Sequence, residues 1–480
     1  GAPAPKGQEM EDHYFGALKP RVAAYMHDLD VELWKLGIPA KTKHNEVAPA
    51  QHELAPVFDT TNVAVDHNQL TMEIIQKVAA RHGLVCLLHE KPFAGVNGSG
   101  KHNNWSISTD EDVNLLSPGE TPHDNAQFLL FLCAVIKAVD DYQDLLRISV
   151  ATAGNDLRLG AQEAPPAIVS IFLGDELNAV LESLENDTPY CGVKKTKMKL
   201  GVDVLPKFTK DNTDRNRTSP FAFTGNKFEF RMVGSADSIA CANIMLNSAV
   251  AESLRVYADY LEQAPDFQTA LQEMLKNTIK EHKRIIFNGN GYDDAWIQEA
   301  TLKRGLSNYP STPDCVPHIL DRKNVELLTG QKIYTEPELR ARYEIVLENY
   351  CKSIVIEANT MVDMAEKEIL PAITAYAMEL AKTAAAKKAL NEQITCAFEC
   401  ERVKNLSALT DEIALKIQEL KKSLISLQSA ETVCEEAAFI RDQVLVKMRE
   451  LRVPCDEAET ITARKYWPFP TYGELLFGVK

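Results

Sequence analysis

Between Tyr14 and Leu36, apolar residues recur at helical spacing, with Val22, Tyr25, Met26, Leu29 and Leu33 along one stripe. That period predicts an amphipathic helix. Residues 44–63 lose the period and read as strand and loop. A second helix is expected from a cap at Asp66 to about Gly83, placing Leu70, Ile74, Ile75, Val78 and Ala79 on one face. Residues 84–89 read as a short apolar strand, 92–100 as a loop and 101–109 as an alternating strand. A helix is expected over about 124–146. Strands and long loops should fill 150–234, and a strong helix should run from Ser235 to about Leu261.

The pattern changes after about residue 340. Between Pro337 and Arg452 the chain has no Gly, and Pro371 is its one proline. Ile413, Ile417, Leu420, Leu424 and Leu427 step 4-3-4-3, and Val433, Ala437, Ile440 and Val444 continue the seam. This spacing predicts a helical hairpin or bundle that packs on itself or on a partner. The aromatic, Pro-rich stretch Tyr466–Tyr472 is expected to dock on a neighbouring surface.

Composition narrows the function. With 480 residues, 45% hydrophobic and 25% charged, the chain can build an ordinary globular core. Its 52 basic and 68 acidic residues leave a net charge of −16 with no run of four Lys/Arg. Such a surface repels phosphate backbones, so no nucleic-acid partner is expected. No apolar stretch reaches the ~18 residues of a membrane span, and no membrane partner is expected. The start, Gly1-Ala2-Pro3-Ala4-Pro5, lacks a Met and the marks of a signal peptide. Something is expected to precede it. Ten scattered cysteines with no CxxC read as buried reduced thiols of a cytoplasmic protein.

Three segments carry candidate chemistry. In His44-Asn45-Glu46-Val47-Ala48-Pro49-Ala50-Gln51-His52-Glu53, two carboxylates lie seven apart around a proline. On one straight strand they would face opposite ways. A break at Pro49 would turn both into one site suited to Mg²⁺ or Mn²⁺. In Lys91-Pro92-Phe93-Ala94-Gly95-Val96-Asn97-Gly98-Ser99-Gly100-Lys101-His102, the glycines and Lys101 have P-loop spacing, but His102 replaces the Ser/Thr and a strand follows. His102, Asn104 and Ser106 would share the polar face of that strand. In Lys227-Phe228-Glu229-Phe230-Arg231-Met232, the charged residues share one face and the apolar ones the other. The Glu is either a salt-bridge partner or a metal ligand beside phosphate-binding cations. Arg215-Asn216-Arg217, and Arg158 five before Glu163-Ala164-Pro165, add little alone.

Taken in order, these segments resemble the glutamine synthetase family over about residues 1–265, and Asn45–Glu53 with the helical C-terminal part resembles its large type III bacterial form. The resemblance implies ATP-dependent ligation of ammonia to L-glutamate through γ-glutamyl phosphate. ATP and Mg²⁺ (or Mn²⁺) would be the cofactors. Glu46 and Glu53 would hold the metal on the glutamate side, and His102 and Glu229 the metal on the ATP phosphates. Asn97, Gly98, Arg158 and Arg231 would bind glutamate. Glu163 would be the carboxylate of a closing flap, Arg217 would stabilise the transferring phosphoryl group, and Ser106, Lys227 and Phe58 would lie near ATP. It also implies a homo-oligomer of stacked rings with active sites between subunits. The fold would be α+β, with a curved, mainly antiparallel sheet and flanking helices over 1–340 and a helical extension over 341–480. The family's β-rich N-terminal domain and its Glu-x-Glu strand are expected to precede residue 1. Five residues after Arg217 stands Ala222, where the family has a further Arg. The alternatives are a related γ-glutamyl ligase with another amine or amino acid, a P-loop NTPase built on Gly95–Lys101, and a non-enzymatic helical scaffold.

Overall fold

The computed structural model describes residues 1–160, 162–190 and 218–478. Helix α1 (Pro20–Lys35) leads into strands β1 (Ala40–Asn45) and β2 (His52–Pro56) and helix α2 (Thr61–Arg81). β1 and β2 form an antiparallel hairpin of their own. A two-stranded hairpin is marginal in water. This one rests on a small separate core, in which Leu29, Leu33, Ile38 and Val78 are buried with Leu54 and Ile74 against them.

The second sheet carries β3 (Gly100–Trp105), β4 (Ile171–Phe172), β5 (Phe221–Phe223) and β6 (Phe228–Gly234) in the order β3-β6-β5-β4. It is mainly antiparallel, with β4 joining β5 in parallel. Behind it stand α3 (Ala126–Asp141), α4 (Gln143–Ile148), α5 (Ala153–Arg158), α6 (Asp175–Glu185), α7 (Ala240–Glu262) and α8 (Phe267–His282). α3 is buried almost all round, from Phe128 to Val139: it packs against α7 and α8, and Phe128 meets Phe223 of β5. Phe221, Phe228, Phe230 and Met232 fill the rear of the sheet, and the Phe221 and Phe228 rings stack at 4.7 Å. The α+β expectation therefore holds.

Short helices α9 (Asp294–Gln298), α10 (Thr312–Cys315) and α11 (Arg322–Gly330) lead to the long α12 (Glu336–Met364) and α13 (Leu370–Leu390), then α14 (Ala397–Ser426), α15 (Val433–Phe439) and α16 (Leu445–Ile461). Ile413, Ile417, Leu420, Ala437, Ile440 and Val444 are buried, as the heptad spacing requires. The aromatic stretch docks within the chain. Tyr466 packs on Tyr376 and donates to Glu379, while Tyr472, which opens α17 (Tyr472–Phe477), packs edge-on against Phe93. No helix among the described residues is long and apolar enough to cross a membrane. Nine cysteines are free thiols, and Cys191 lies outside the described residues.

Several local expectations need correction. α2 starts at Thr61 behind Thr60, so Asp66 is not its cap. The break after Pro56 frees the chain to turn earlier than its apolar stripe suggests. The helix expected over 124–146 is two, parted at Tyr142, and α7 starts at Ala240 rather than Ser235. Residues 84–89 alternate between half-buried Leu84, Cys86 and Leu88 and exposed Val85, Leu87 and His89, yet join no ladder among the described residues. Alternation marks an extended segment, but a strand also needs a neighbour to bond.

Candidate active site

The hairpin register sets His44 opposite Glu53. His44 Nε2 lies 3.1 Å from Glu53 Oε2, and its Nδ1 lies 3.7 Å from Glu46 Oε1. One ligand atom from each of His44, Glu46 and Glu53 lies within 4.8 Å of the others. The turn that joins them is closed by the Glu46 N–H donating to the Gln51 carbonyl at 2.9 Å, with Ala50 at φ 56°. Reversal of the chain, not strand parity, thus brings together carboxylates seven residues apart. Burial, and then the neighbouring Glu53, push the Glu46 carboxyl up to about 7. Such an imidazole–carboxylate donor set fits a hard divalent cation, which would relieve the repulsion between the two acids.

The Asn97–Gly100 turn abuts this hairpin. Gln51 Nε2 donates to the Gly98 carbonyl and to Ser99 Oγ, both at 2.9 Å. Asn97 Nδ2 donates to Glu163 Oε2 at 3.0 Å, while Asn97 Oδ1 accepts from Gln8 Nε2 at 2.8 Å. Both glycines are dictated by close approach. A Cβ on Gly98 would lie 2.4 Å from the Glu90 carbonyl oxygen, and one on Gly100 would lie 2.0 Å from Arg158 Nη2.

Glu163 sits in a tight loop that the Gly160 N–H closes onto the Pro165 carbonyl at 2.9 Å. Gly160, Gln162 and Glu163 have φ of 97°, 54° and 68°. The Tyr292 hydroxyl donates to the Ala164 carbonyl at 2.9 Å. Burial, and then the Glu163 charge, raise that hydroxyl to about 12, and Arg158 and Arg231 also act on it. Glu163 in turn helps raise the Glu46 pKa. Glu46, Glu53, Asn97 and Glu163 therefore share one site.

A second cluster lies on the sheet. In the β3–β6 register Asn104 faces Glu229, with an irregularity between Lys101 and Asn103. His102 Nδ1 lies 2.9 Å from Glu229 Oε1, and Arg231 Nη2 donates to Glu229 Oε2 at 2.9 Å. Burial alone would raise the Glu229 pKa, but the bonds from His102 and Arg231 outweigh it and hold the carboxyl at about 2. Exposed His102, Asn104 and Ser106 share a face, as expected, and Ser106 Oγ donates to Asn114 Oδ1 at 2.8 Å. Lys227 is half-buried two residues before Glu229. Phe58 is 94% exposed. Arg217 lies outside the described residues.

Arg158 lies beneath the substrate turn proposed from the sequence. It is 4% exposed, and its guanidinium donates to the Arg231 carbonyl at 3.0 Å, to Asn155 Oδ1 at 3.1 Å and to the Met232 carbonyl at 3.4 Å. Its planar fork supports the Gly98–Gly100 turn from below. Lys101 is likewise committed: its ammonium donates to the carbonyls of Ser235 at 2.8 Å and of Asp237. The lysine a P-loop would aim at phosphates is spent on backbone, and β3 stands where a P-loop would begin a helix. Residues that sequence reasoning did not assign are His44, Tyr292 and Gln8. Of these only His44 left a signal, since it shares strand parity with Glu46.

The buried Asp237 Oδ2 lacks a hydrogen bond. Burial, and then Glu90, raise that carboxyl to about 6 from an ordinary 3.8. A raised acid favours folding only while protonated, so this contribution is present below pH 3.8 and is lost as pH rises through about 6. Asp237→Asn is therefore expected to stabilise the protein by ~1–3 kcal/mol above pH 7 and by little at pH 4. Urea unfolding at the two pH values checks this, and equal gains at both would contradict it.

Comparison with known proteins identifies the family. Residues 5–151 match the family described as glutamine synthetase, catalytic domain, and residues 270–388 match glutamine synthetase C-terminal domain. The chain is 52% identical to a glutamine synthetase of Butyrivibrio fibrisolvens, over 100% of this chain and 68% of that protein. It is 46% identical to the type-3 glutamine synthetase of Dictyostelium discoideum, over 99% of this chain and 66% of that protein. A glutamine synthetase of Bacteroides fragilis is 41% identical, over 99% of this chain and 67% of that protein. The chain thus spans about two thirds of the length of each relative.

Proposed function

The chain belongs to the glutamine synthetase family, enzymes that ligate ammonia to glutamate with ATP, and on that premise we propose how its own residues serve that reaction. The meeting of Glu46, Glu53, Asn97 and Glu163 carries the reading. His44, Glu46 and Glu53 would hold one divalent cation, and His102 and Glu229 another. Bound there, the two cations would neutralise phosphate and carboxylate charge during phosphoryl transfer. Asn97, with its amide oriented by Gln8, and the Gly98 backbone would place glutamate against the hairpin. Glu163, at the tip of its loop, would cover the acyl phosphate and keep water from it. Arg231, fixed by Glu229, would offer charge to the transferring group. Arg217 would act beside it, and Lys227, Ser106 and Phe58 would border ATP. Arg158 would position the substrate turn without touching substrate.

Assembly as a homo-oligomer of stacked rings with sites between subunits, and a cytoplasmic location, belong to the same proposal, as does a catalytic unit over 1–340 with a helical extension over 341–480. The test is γ-glutamyl hydroxamate formation from glutamate, hydroxylamine and ATP with Mn²⁺. Product is expected with glutamate, and Glu163→Ala should hydrolyse more ATP per product formed. Turnover of another amino acid in preference to glutamate would favour the related γ-glutamyl ligase.

A further inference from the structure

Tyr292 on Ala164, Asn97 on Glu163, and Lys91 on Gln162 anchor the Gly160–Pro165 loop. The first grips backbone and the second belongs to the proposed substrate site. The third has no role in what precedes. Lys91 is half-buried, and its ammonium donates to the Val96 carbonyl and to Gln162 Oε1. Both acceptors are uncharged oxygens. A desolvated ammonium bound to uncharged oxygens is costly to keep. Burial, and then Arg158, accordingly push it below the ordinary lysine value.

What the ammonium does there is geometric. Val96 directly precedes Asn97, and Gln162 directly precedes Glu163. One Nζ therefore ties together the two residues whose neighbours make the Asn97–Glu163 bond. Gln162 and Glu163 both hold positive φ, which side-chain-bearing residues adopt only when surrounding contacts enforce it. Charge-assisted donation from an ammonium is a strong contact of this kind.

We propose that Lys91 is a positioning residue, a latch that joins the Val96 carbonyl to the Gln162 side chain and so holds the Glu163 loop shut over the Asn97 turn. The latch rests on the reading of Glu163 as a flap carboxylate, but its mechanical part is testable without turnover. Hydrogen exchange at Gly160, Gln162 and Glu163 in the full chain is expected to quicken roughly tenfold in Lys91→Met and equally in Gln162→Leu. The double variant should be no faster than either single one, and Lys91→Arg should restore part of the protection. In the catalysing protein with glutamate, Lys91→Met should raise ADP released per γ-glutamyl product by roughly threefold or more, because water reaches the acyl phosphate. KM for ATP should not move. Unchanged exchange in Lys91→Met, or additive effects in the double variant, would overturn the latch. A wild type that makes no γ-glutamyl product but shows the expected exchange pattern would overturn the flap reading and leave the latch standing.

Discussion

Glu46→Ala is expected to lower Mn²⁺-dependent γ-glutamyl transfer by about a thousandfold, in line with the several kcal/mol that a catalytic cation contributes. The same variant should fold as well as the wild type or better. Glu46 is a partly buried acid pushed up to about 7 by burial and by Glu53, so its removal relieves strain rather than creating it. This split between activity and stability separates a site carboxylate from a structural one. His44→Ala should cost less, about tenfold, because the imidazole both donates to the site and orients Glu53. Transfer activity of Glu46→Ala within tenfold of the wild type would remove Glu46 from the site.

Arg158→Met should behave in the opposite way. The guanidinium serves the carbonyls of Arg231 and Met232 and Asn155 Oδ1, all buried, and packs under Gly100. Methionine fills much of the volume but takes this donor from the Arg231 carbonyl and from Asn155 Oδ1, while the Met232 carbonyl keeps the Asn155 amide at 2.8 Å. At ~1–3 kcal/mol for each buried group left unsatisfied, the loss of stability should reach about 3 kcal/mol or more. Activity should fall through disorder of the Asn97–Gly100 turn, with kcat and KM both affected. Thermal unfolding and steady-state kinetics on the same preparation decide the matter. A stable variant whose only defect is a large rise in KM for glutamate would return Arg158 to the substrate.

How much of this was legible beforehand differs by element. Long helices were legible because their stripes extend over many turns, as in α1, α7 and α14. The strand pair β3 and β6 was legible because each alternates over several residues, with His102, Asn104 and Ser106 on one face and Phe228, Phe230 and Met232 on the other. Boundaries were not, because α2 begins directly after Thr60 with no side-chain cap, and its start depends on where the preceding chain can turn.

At the site, residue chemistry and order were enough to single out Glu46, Glu53, Asn97, His102, Glu163 and Glu229 as a group worth testing. The sequence by itself determined which side chains were available and that a proline-broken turn could unite two acids. Only the tertiary structure decided that His44 joins them, since cross-strand register is set by hairpin closure and packing on the α1–α2 core. It also decided that Arg158 and Lys101 face inward. Both cations look like ligand binders when read along the chain. The backbone carbonyls that they serve lie more than 70 residues away, and backbone carbonyls leave no trace in residue type. Tyr292 and Gln8 reach the loop and the turn from similarly distant segments. Local periodicity encodes faces, but the choice of acceptor for a buried donor is made by long-range packing alone.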